Sequence, residues 1–192
     1  MGKKILIVTG SPRHHGNTNT LADGVAQGAT DRGGKVKIVD AARLQSKTNG
    51  CTSCMGCQES EDFRCIIRDE VSEILATIPD YDVLVLATPV YFFNFSAQIK
   101  IFIDRMYSLY KFKEDKIITP TEKLHFAMIA TAAGDYGSGL DSLEHTFNKI
   151  AGLSGRKPLT LLVPLCSVDV NETMADTELK EQAIRFGAQL AE

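Results

Sequence analysis

No apolar stretch in the 192 residues approaches the roughly 20 that a membrane-spanning helix requires. The longest runs are broken by Pro89 or flanked by charge, so no membrane partner is expected. Positive charge is not in excess either. Lys and Arg number 21 against 24 Asp and Glu, a formal net charge of -3, which leaves no electrostatic footprint for nucleic acid or an anionic membrane surface. The chain passes from Met1-Gly2-Lys3-Lys4 straight into a strand-like run, without the apolar core of a signal peptide. Leu6 stands where N-myristoylation after Gly2 would require Ser or Thr. The expected compartment is the cytoplasm. A disulfide framework is also missing: four of the five cysteines fall within residues 51–65, and clustered thiols in a reducing compartment more often hold a metal or do redox work. No Ser-His-Asp set and no carboxylate pair with a role is evident, so no catalytic side chain is named.

What remains is the length and composition of one globular domain, with enough chain to bury a core. Lys4–Thr9 is a short apolar run that reads as a strand. A helical pattern follows from about Thr18 to Arg32, with Leu21, Val25 and Ala29 on one face and Gly33-Gly34 as the stop. Val36–Val39 is a second strand, and residues 41–68 lack periodicity and contain the clustered cysteines. A short helix is expected over Asp69–Ile78. Asp82–Thr88 is a third strand, apolar throughout as in a parallel sheet covered on both faces, and Pro89 is expected to end it. A loop over 90–95 precedes a helix from about Ser96 to Leu109, and Lys111–Lys123 is polar and irregular. Leu124–Thr131 and Leu159–Leu165 are the fourth and fifth strands, separated by a helix over about Ser138–Leu153. One last helix is expected from about Glu172 to Leu190.

Strands alternating with helices imply a parallel sheet with helices on both faces. Ligands of such sheets bind beyond the carboxyl ends of the strands, which directs attention to residues 10–18, 88–95 and 131–137. Gly10-Ser11-Pro12-Arg13-His14-His15-Gly16-Asn17-Thr18 joins the first strand to the first helix, where free N–H groups and the helix dipole favour an anion. Ser11, Asn17 and Thr18 add polar side chains and Arg13 adds charge. Without a Gly-Lys-Ser/Thr ending the loop is not a triphosphate site, and without Gly-x-Gly-x-x-Gly it is not a dinucleotide site. Asp40 is accordingly read as strand-end punctuation. The loop suits a phosphate monoester such as that of FMN; the plain alternative is a turn capped by Asn17 or Thr18. In the second loop, Thr88-Pro89-Val90-Tyr91-Phe92-Phe93-Asn94-Phe95 exposes aromatics that a flat ring, in the first place, and a neighbouring subunit as well are expected to cover.

Cys51-x2-Cys54-x2-Cys57-x7-Cys65 sets four thiolates close enough for one loop to wrap a [4Fe–4S] cluster. The same spacing suits zinc, and the cysteines are equally compatible with no metal. Cys166, after an apolar strand, reads as a buried small hydrophobe.

Taken together, Gly10–Arg13 with Gly16–Thr18, the four clustered cysteines, Ile67–Glu70, Thr88–Tyr91 and Lys100–Arg105 resemble the NAD(P)H-dependent FMN reductases of the flavodoxin-like superfamily. The likeness includes the iron-sulfur flavoproteins and spans residues 4–165. It implies a flavodoxin-like three-layer α/β/α fold with a five-stranded parallel sheet. Residues 1–192 would form a single FMN-binding domain, with 41–68 as a cysteine-containing loop insertion. Ser11, Arg13, Asn17 and Thr18 would bind the FMN phosphate. Pro89, Val90, Tyr91, Phe92 and Asn94 would contact the ring, with Ala133 and Gly134 beside it. Cys51, Cys54, Cys57 and Cys65 match the cluster ligands of the iron-sulfur members. The activity implied is hydride transfer from NAD(P)H to the flavin and on to a quinone, a free flavin or another small acceptor. Two other readings stay open: an electron carrier exchanging electrons with ferredoxin-type partners, and a redox sensor built on the cysteines. The family resemblance also implies a homo-oligomer, either a dimer or a tetramer.

Overall fold

The computed structural model describes residues 2–192. The strands are β1 (Lys4–Thr9), β2 (Lys35–Asp40), β3 (Val83–Tyr91), β4 (Asn94–Phe95), β5 (Lys111–Lys113), β6 (Lys116–Ile118), β7 (His125–Thr131) and β8 (Leu159–Val163). The helices are α1 (Asn17–Asp31), α2 (Gly56–Glu59), α3 (Glu70–Thr77), α4 (Ala97–Arg105), α5 (Leu140–Ala151), α6 (Val170–Ala175) and α7 (Thr177–Leu190). Five parallel strands lie in the order β2-β1-β3-β7-β8, the flavodoxin-like arrangement expected from the sequence. No helix among the described residues is long and apolar enough to cross a membrane.

Strands β1, β3 and β7 are buried almost end to end, so both of their faces need cover. Alternate residues supply it. Leu6, Val8, Leu84, Leu86, Phe126 and Met128 meet α3, α4 and α5 on one face. Ile5, Ile7, Val83, Val85, Ala127 and Ile129 meet α1 and α7 on the other. The edge strand β2 places Lys35 and Lys37 toward solvent, which discourages pairing with another chain. Helices α1 and α7 approach closely through two glycines. A Cβ on Gly28 would lie 1.9 Å from the Ile184 carbonyl oxygen, and one on Gly187 would lie 1.9 Å from that of Val25.

Four expectations are corrected. Pro89 does not end β3, which runs on to Tyr91. Ala87 turns its carbonyl toward Gly10 on the β1 side, and Pro89, two residues on, faces the same way. Because β1 has already stopped at Thr9, no ladder bond needs the missing proline N–H. The loop over 90–95 is instead a tight hairpin, with Val90 opposite Phe95 and Tyr91 opposite Asn94. Residues 111–118 form a small hairpin of β5 and β6 rather than irregular chain. The closing helix is two helices, because Asp176 leaves helical geometry and accepts a hydrogen bond from Leu179 N–H (3.0 Å) as the cap of α7.

Gly187→Ala tests the helix contact. Ala gains about 1 kcal/mol of helix propensity over Gly, yet the clash with Val25 should outweigh it and lower stability by about 3 kcal/mol in urea unfolding.

Candidate functional site

The topological switch lies between β1 and β3, where connections leave for opposite edges of the sheet. The chain after β1 turns sharply there. Gly10 N–H donates to Ala87 O (2.8 Å), and its own carbonyl accepts from Ser96 Oγ (2.6 Å). The loop then doubles back so tightly that a Cβ on Gly16 would lie 2.9 Å from Arg13 Cβ and 3.2 Å from Ser11 Oγ. Gly16 is the N-cap residue of α1, and no side chain caps the helix. Neither Asn17 nor Thr18 caps the turn, and the first N–H groups of α1 are left available to an anion. Ser11 is buried, and its hydroxyl accepts from Arg13 N–H (3.2 Å). Thr18 shares a buried hydrogen bond with the Thr131 hydroxyl (2.8 Å). Asp40 accepts from Ala42 N–H (3.0 Å) and pairs with Arg43 (3.0 Å), as strand-end punctuation should.

Ser11, Arg13, Asn17, Thr18, Pro89, Val90, Tyr91 and Ala133 surround one cleft. Phe92 and Asn94 do not line it. They belong to the hairpin tip, where Asn94 Oδ1 accepts from Phe95 N–H (2.8 Å) and Phe92 is 96% exposed. Gly134 lies behind Ala133, its carbonyl accepting from Leu165 N–H (2.8 Å). The segment after β8 completes the wall, a contribution not foreseen in the sequence. Arg13 donates to Val168 O (3.3 Å) and Asn17 to Ser167 O, while Asn17 Oδ1 is buried without a partner. Cys166 is buried as expected but also lines the cleft. The segment Pro164-Leu165-Cys166-Ser167-Val168 carries no motif that could have found it. The arrangement can bind a phosphate-like anion at α1 and a flat apolar group beside the hairpin.

The hairpin tip is strained. Phe92 and Phe93 have φ of 45° and 69°, the left-handed pair that a two-residue turn needs and that Asn-Gly adopts easily. Bulky residues there cost about 1–2 kcal/mol each. Replacing them with Asn and Gly should therefore raise stability by about 2 kcal/mol, read as a higher melting midpoint.

The four clustered cysteines meet at a second place. Left-handed Ser53 and Met55 wind the chain, so that Cys51, Cys54, Cys57 and Cys65 line one narrow cavity together with Arg105. Cys57 is buried, Cys65 half-buried, and Cys51 and Cys54 lie exposed. The Gly56 N–H and the Thr52 hydroxyl hold the Cys54 thiol below its ordinary pKa. Among the described residues, no three His, Cys, Asp or Glu side chains converge on one point as a single bound ion requires. Thiolates are ligands of zinc and of iron–sulfur clusters alike.

Arg105 pairs with Asp69 (2.7 Å), not with its neighbour Asp104, which pairs with Lys100. Asp69 also caps α3 through Ser72 N–H (3.0 Å) and accepts from Lys47 N–H (2.9 Å). Burial pushes its carboxyl upward, but the hydrogen bonds from Arg105, Lys47 and Ser72 outweigh that and hold it below the usual carboxylate range. A depressed folded-state pKa stabilises above the unfolded value of about 3.9 and is lost as pH falls through the folded one. Unfolding free energy should decline below about pH 4. Asp69→Asn should flatten that decline and cost about 3 kcal/mol at neutral pH, both measured by urea titration.

The parallel doubly wound sheet, with an uncapped helix N-terminus at its switch point and an aromatic hairpin beside it, defines a flavodoxin-like protein. The chain matches the NADPH-dependent FMN reductase family over residues 3–160, and it belongs to that family. An iron-sulfur flavoprotein of Archaeoglobus fulgidus is 35% identical over 103 residues, which is 54% of this chain and 45% of that protein. The chain spans about half the length of the curated relatives it matches. Among solved structures, an NAD(P)H:quinone oxidoreductase from Methanothermobacter marburgensis superposes with a TM-score of 0.76 at 14% identity, over 100% of this chain and 98% of that one. An FMN-dependent NADH-azoreductase from Bacillus anthracis in complex with FMN gives 0.71 at 13% identity, over 99% and 100%. At such identities these two likenesses describe the fold.

Proposed function

We propose that this chain is an FMN-dependent oxidoreductase that takes hydride from NAD(P)H and passes electrons to a quinone, a free flavin or another small acceptor. The observation that carries the reading is the joining of two features on one cleft: the uncapped N-terminus of α1 with Ser11, Arg13 and Thr18, and the hairpin of Pro89, Val90 and Tyr91. FMN, when bound, supplies the hydride chemistry. The free N–H groups of α1 and the Arg13 guanidinium balance the phosphate charge. Asn17, with a buried oxygen that lacks a donor, helps to orient that end. Tyr91 would cover one edge of the ring and limit water, Phe92 and Asn94 form the hairpin tip next to it, and Ala133, backed by Gly134, would leave room on the opposite side. Their small size keeps a ring face open to a nicotinamide. No side chain acts as acid or base in this scheme.

A second reading has its own observation. The four cysteines line one cavity beside Arg105, the last residue of α4, while Ser96, the cap of the same helix, bonds to Gly10 at the cleft. Nine residues of helix span about 13 Å. A [4Fe–4S] cluster held by Cys51, Cys54, Cys57 and Cys65 would thus sit one short helix from the flavin. That layout suits an iron-sulfur flavoprotein exchanging electrons with a ferredoxin-type partner. The thiols suit the cytoplasm, and the exposed Tyr91, Phe92 and Phe93 suit burial against another copy in a dimer or tetramer.

The visible spectrum of anaerobically purified protein, with iron and zinc content, tests both readings. Flavin bands with NAD(P)H consumption in the presence of a quinone support the reductase. Flavin bands with about four irons per chain, negligible turnover and rapid reduction by ferredoxin support the carrier. A chain that takes up no FMN overturns both. Arg13→Ala should weaken FMN binding about tenfold or more in a fluorescence titration, as expected for one lost hydrogen bond to a charged group.

A further inference from the structure

Arg105 is among the largest fully buried side chains of the protein, with 1% of its surface exposed. Its Nη1 donates to Asp69 Oδ2 (2.7 Å) and to the Ser46 hydroxyl (3.3 Å). Its Nη2 donates to Ile67 O (2.8 Å) and to Cys65 Sγ (3.4 Å). Its Nε–H is buried and has no acceptor. An ion pair with Asp69 alone would be served by a lysine; it explains neither the donor spent on a sulfur nor the one left over. Both belong to a side chain in the wall of the four-cysteine cavity. A second buried cation holds the same segment. The Lys111 ammonium donates to the carbonyls of Cys57, Ser60 (2.6 Å) and Asp62 (2.7 Å) and has no carboxylate partner among the described residues.

We propose that Arg105 is a positioning residue of the four-cysteine site, donating hydrogen bonds to sulfur in that cavity and favouring the reduced state of a [4Fe–4S] cluster there. The inference rests on the cluster reading above. Hydrogen bonds to the sulfurs and local charge set the potential of such a centre. Reduction adds one negative charge, so donors aimed at sulfur stabilise the reduced form more than the oxidised one. Asp69 partly neutralises the guanidinium and opposes the effect. Arg105 and Asp69 should therefore push the potential in opposite directions, although the loss of either weakens the same ion pair.

The test reconstitutes the full chain anaerobically with iron and sulfide. The readouts are iron content, FMN content, melting midpoint and the midpoint potential of the cluster by spectroelectrochemistry. Arg105→Gln should reduce the equilibrium tendency to accept an electron at least tenfold, a fall of 59 mV or more for a one-electron couple. Asp69→Asn should raise the potential. Arg105→Lys keeps a cation for Asp69 but loses the fork, so it should lower the potential and keeps the test decisive if the Gln variant does not fold. Unchanged potentials, or Arg105 and Asp69 variants shifting in the same direction, overturn the inference alone. A wild-type chain that binds FMN but takes up no iron overturns the cluster reading and this inference with it.

Discussion

Burial of β1, β3 and β7 on both faces is the constraint on which the other features depend. A strand with no solvent-facing side can carry no charged residue along its middle, so polar chemistry is displaced to the strand ends. The parallel order then gathers the carboxyl ends of β1, β3, β7 and β8 on one rim. The helices required to cover the two faces bring the N-terminus of α1 to that rim as well. An anion cradle next to an apolar shelf follows from the topology before any particular side chain is chosen.

Helix α4 connects the two regions of chemical interest. Ser96 caps its first turn and donates to the Gly10 carbonyl, so the start of the helix is tied to the loop after β1. Arg105 ends it, tied to Asp69, Ile67 and Cys65. The cysteine segment has almost no regular structure of its own apart from α2, and buried apolar contacts cannot hold it. Two buried cations do so instead: Lys111 bonds to three carbonyls, and the Nη atoms of Arg105 bond to a carbonyl, a carboxylate, a hydroxyl and a sulfur. Such polar anchors impose direction as well as attraction, which suits a loop whose sulfurs must surround a common space.

Strain is concentrated at the hairpin between β3 and β4. Elsewhere the left-handed residues are mostly glycines or small residues in turns, but Phe92 and Phe93 place two aromatic rings in that region together. Gly139, with φ of 119°, accommodates the hairpin from below, since a Cβ there would lie 2.9 Å from Phe93 Cα. A strained, aromatic and exposed turn beside a cleft is what the rest of the scaffold holds in place.

The local signals were legible in the residues themselves. The strand-turn-helix over Lys4–Asp31, the alternation of elements, the cysteine spacing and the polar loop from Gly10 to Thr18 depend on contacts close in sequence, where periodicity and turn chemistry act directly. Pro89 misled because its effect depends on whether a neighbouring strand needs its N–H, and β1 ends before the question arises. The break at Asp176 was hidden because helix-compatible residues continue on both sides of it, although Asp itself favours caps over helix interiors. The wall formed by Cys166, Ser167 and Val168, the Thr18–Thr131 hydroxyl pair and the turn of Arg105 toward Asp69 rather than Asp104 join residues 36 to 155 positions apart. Sequence by itself determined the fold class, the polar loop after β1 and the presence of four grouped thiols, because short-range backbone physics encodes them. Only the tertiary structure decided which side chains share the cleft and which cation stands beside the sulfurs, because those contacts exist only once the sheet has brought distant segments together.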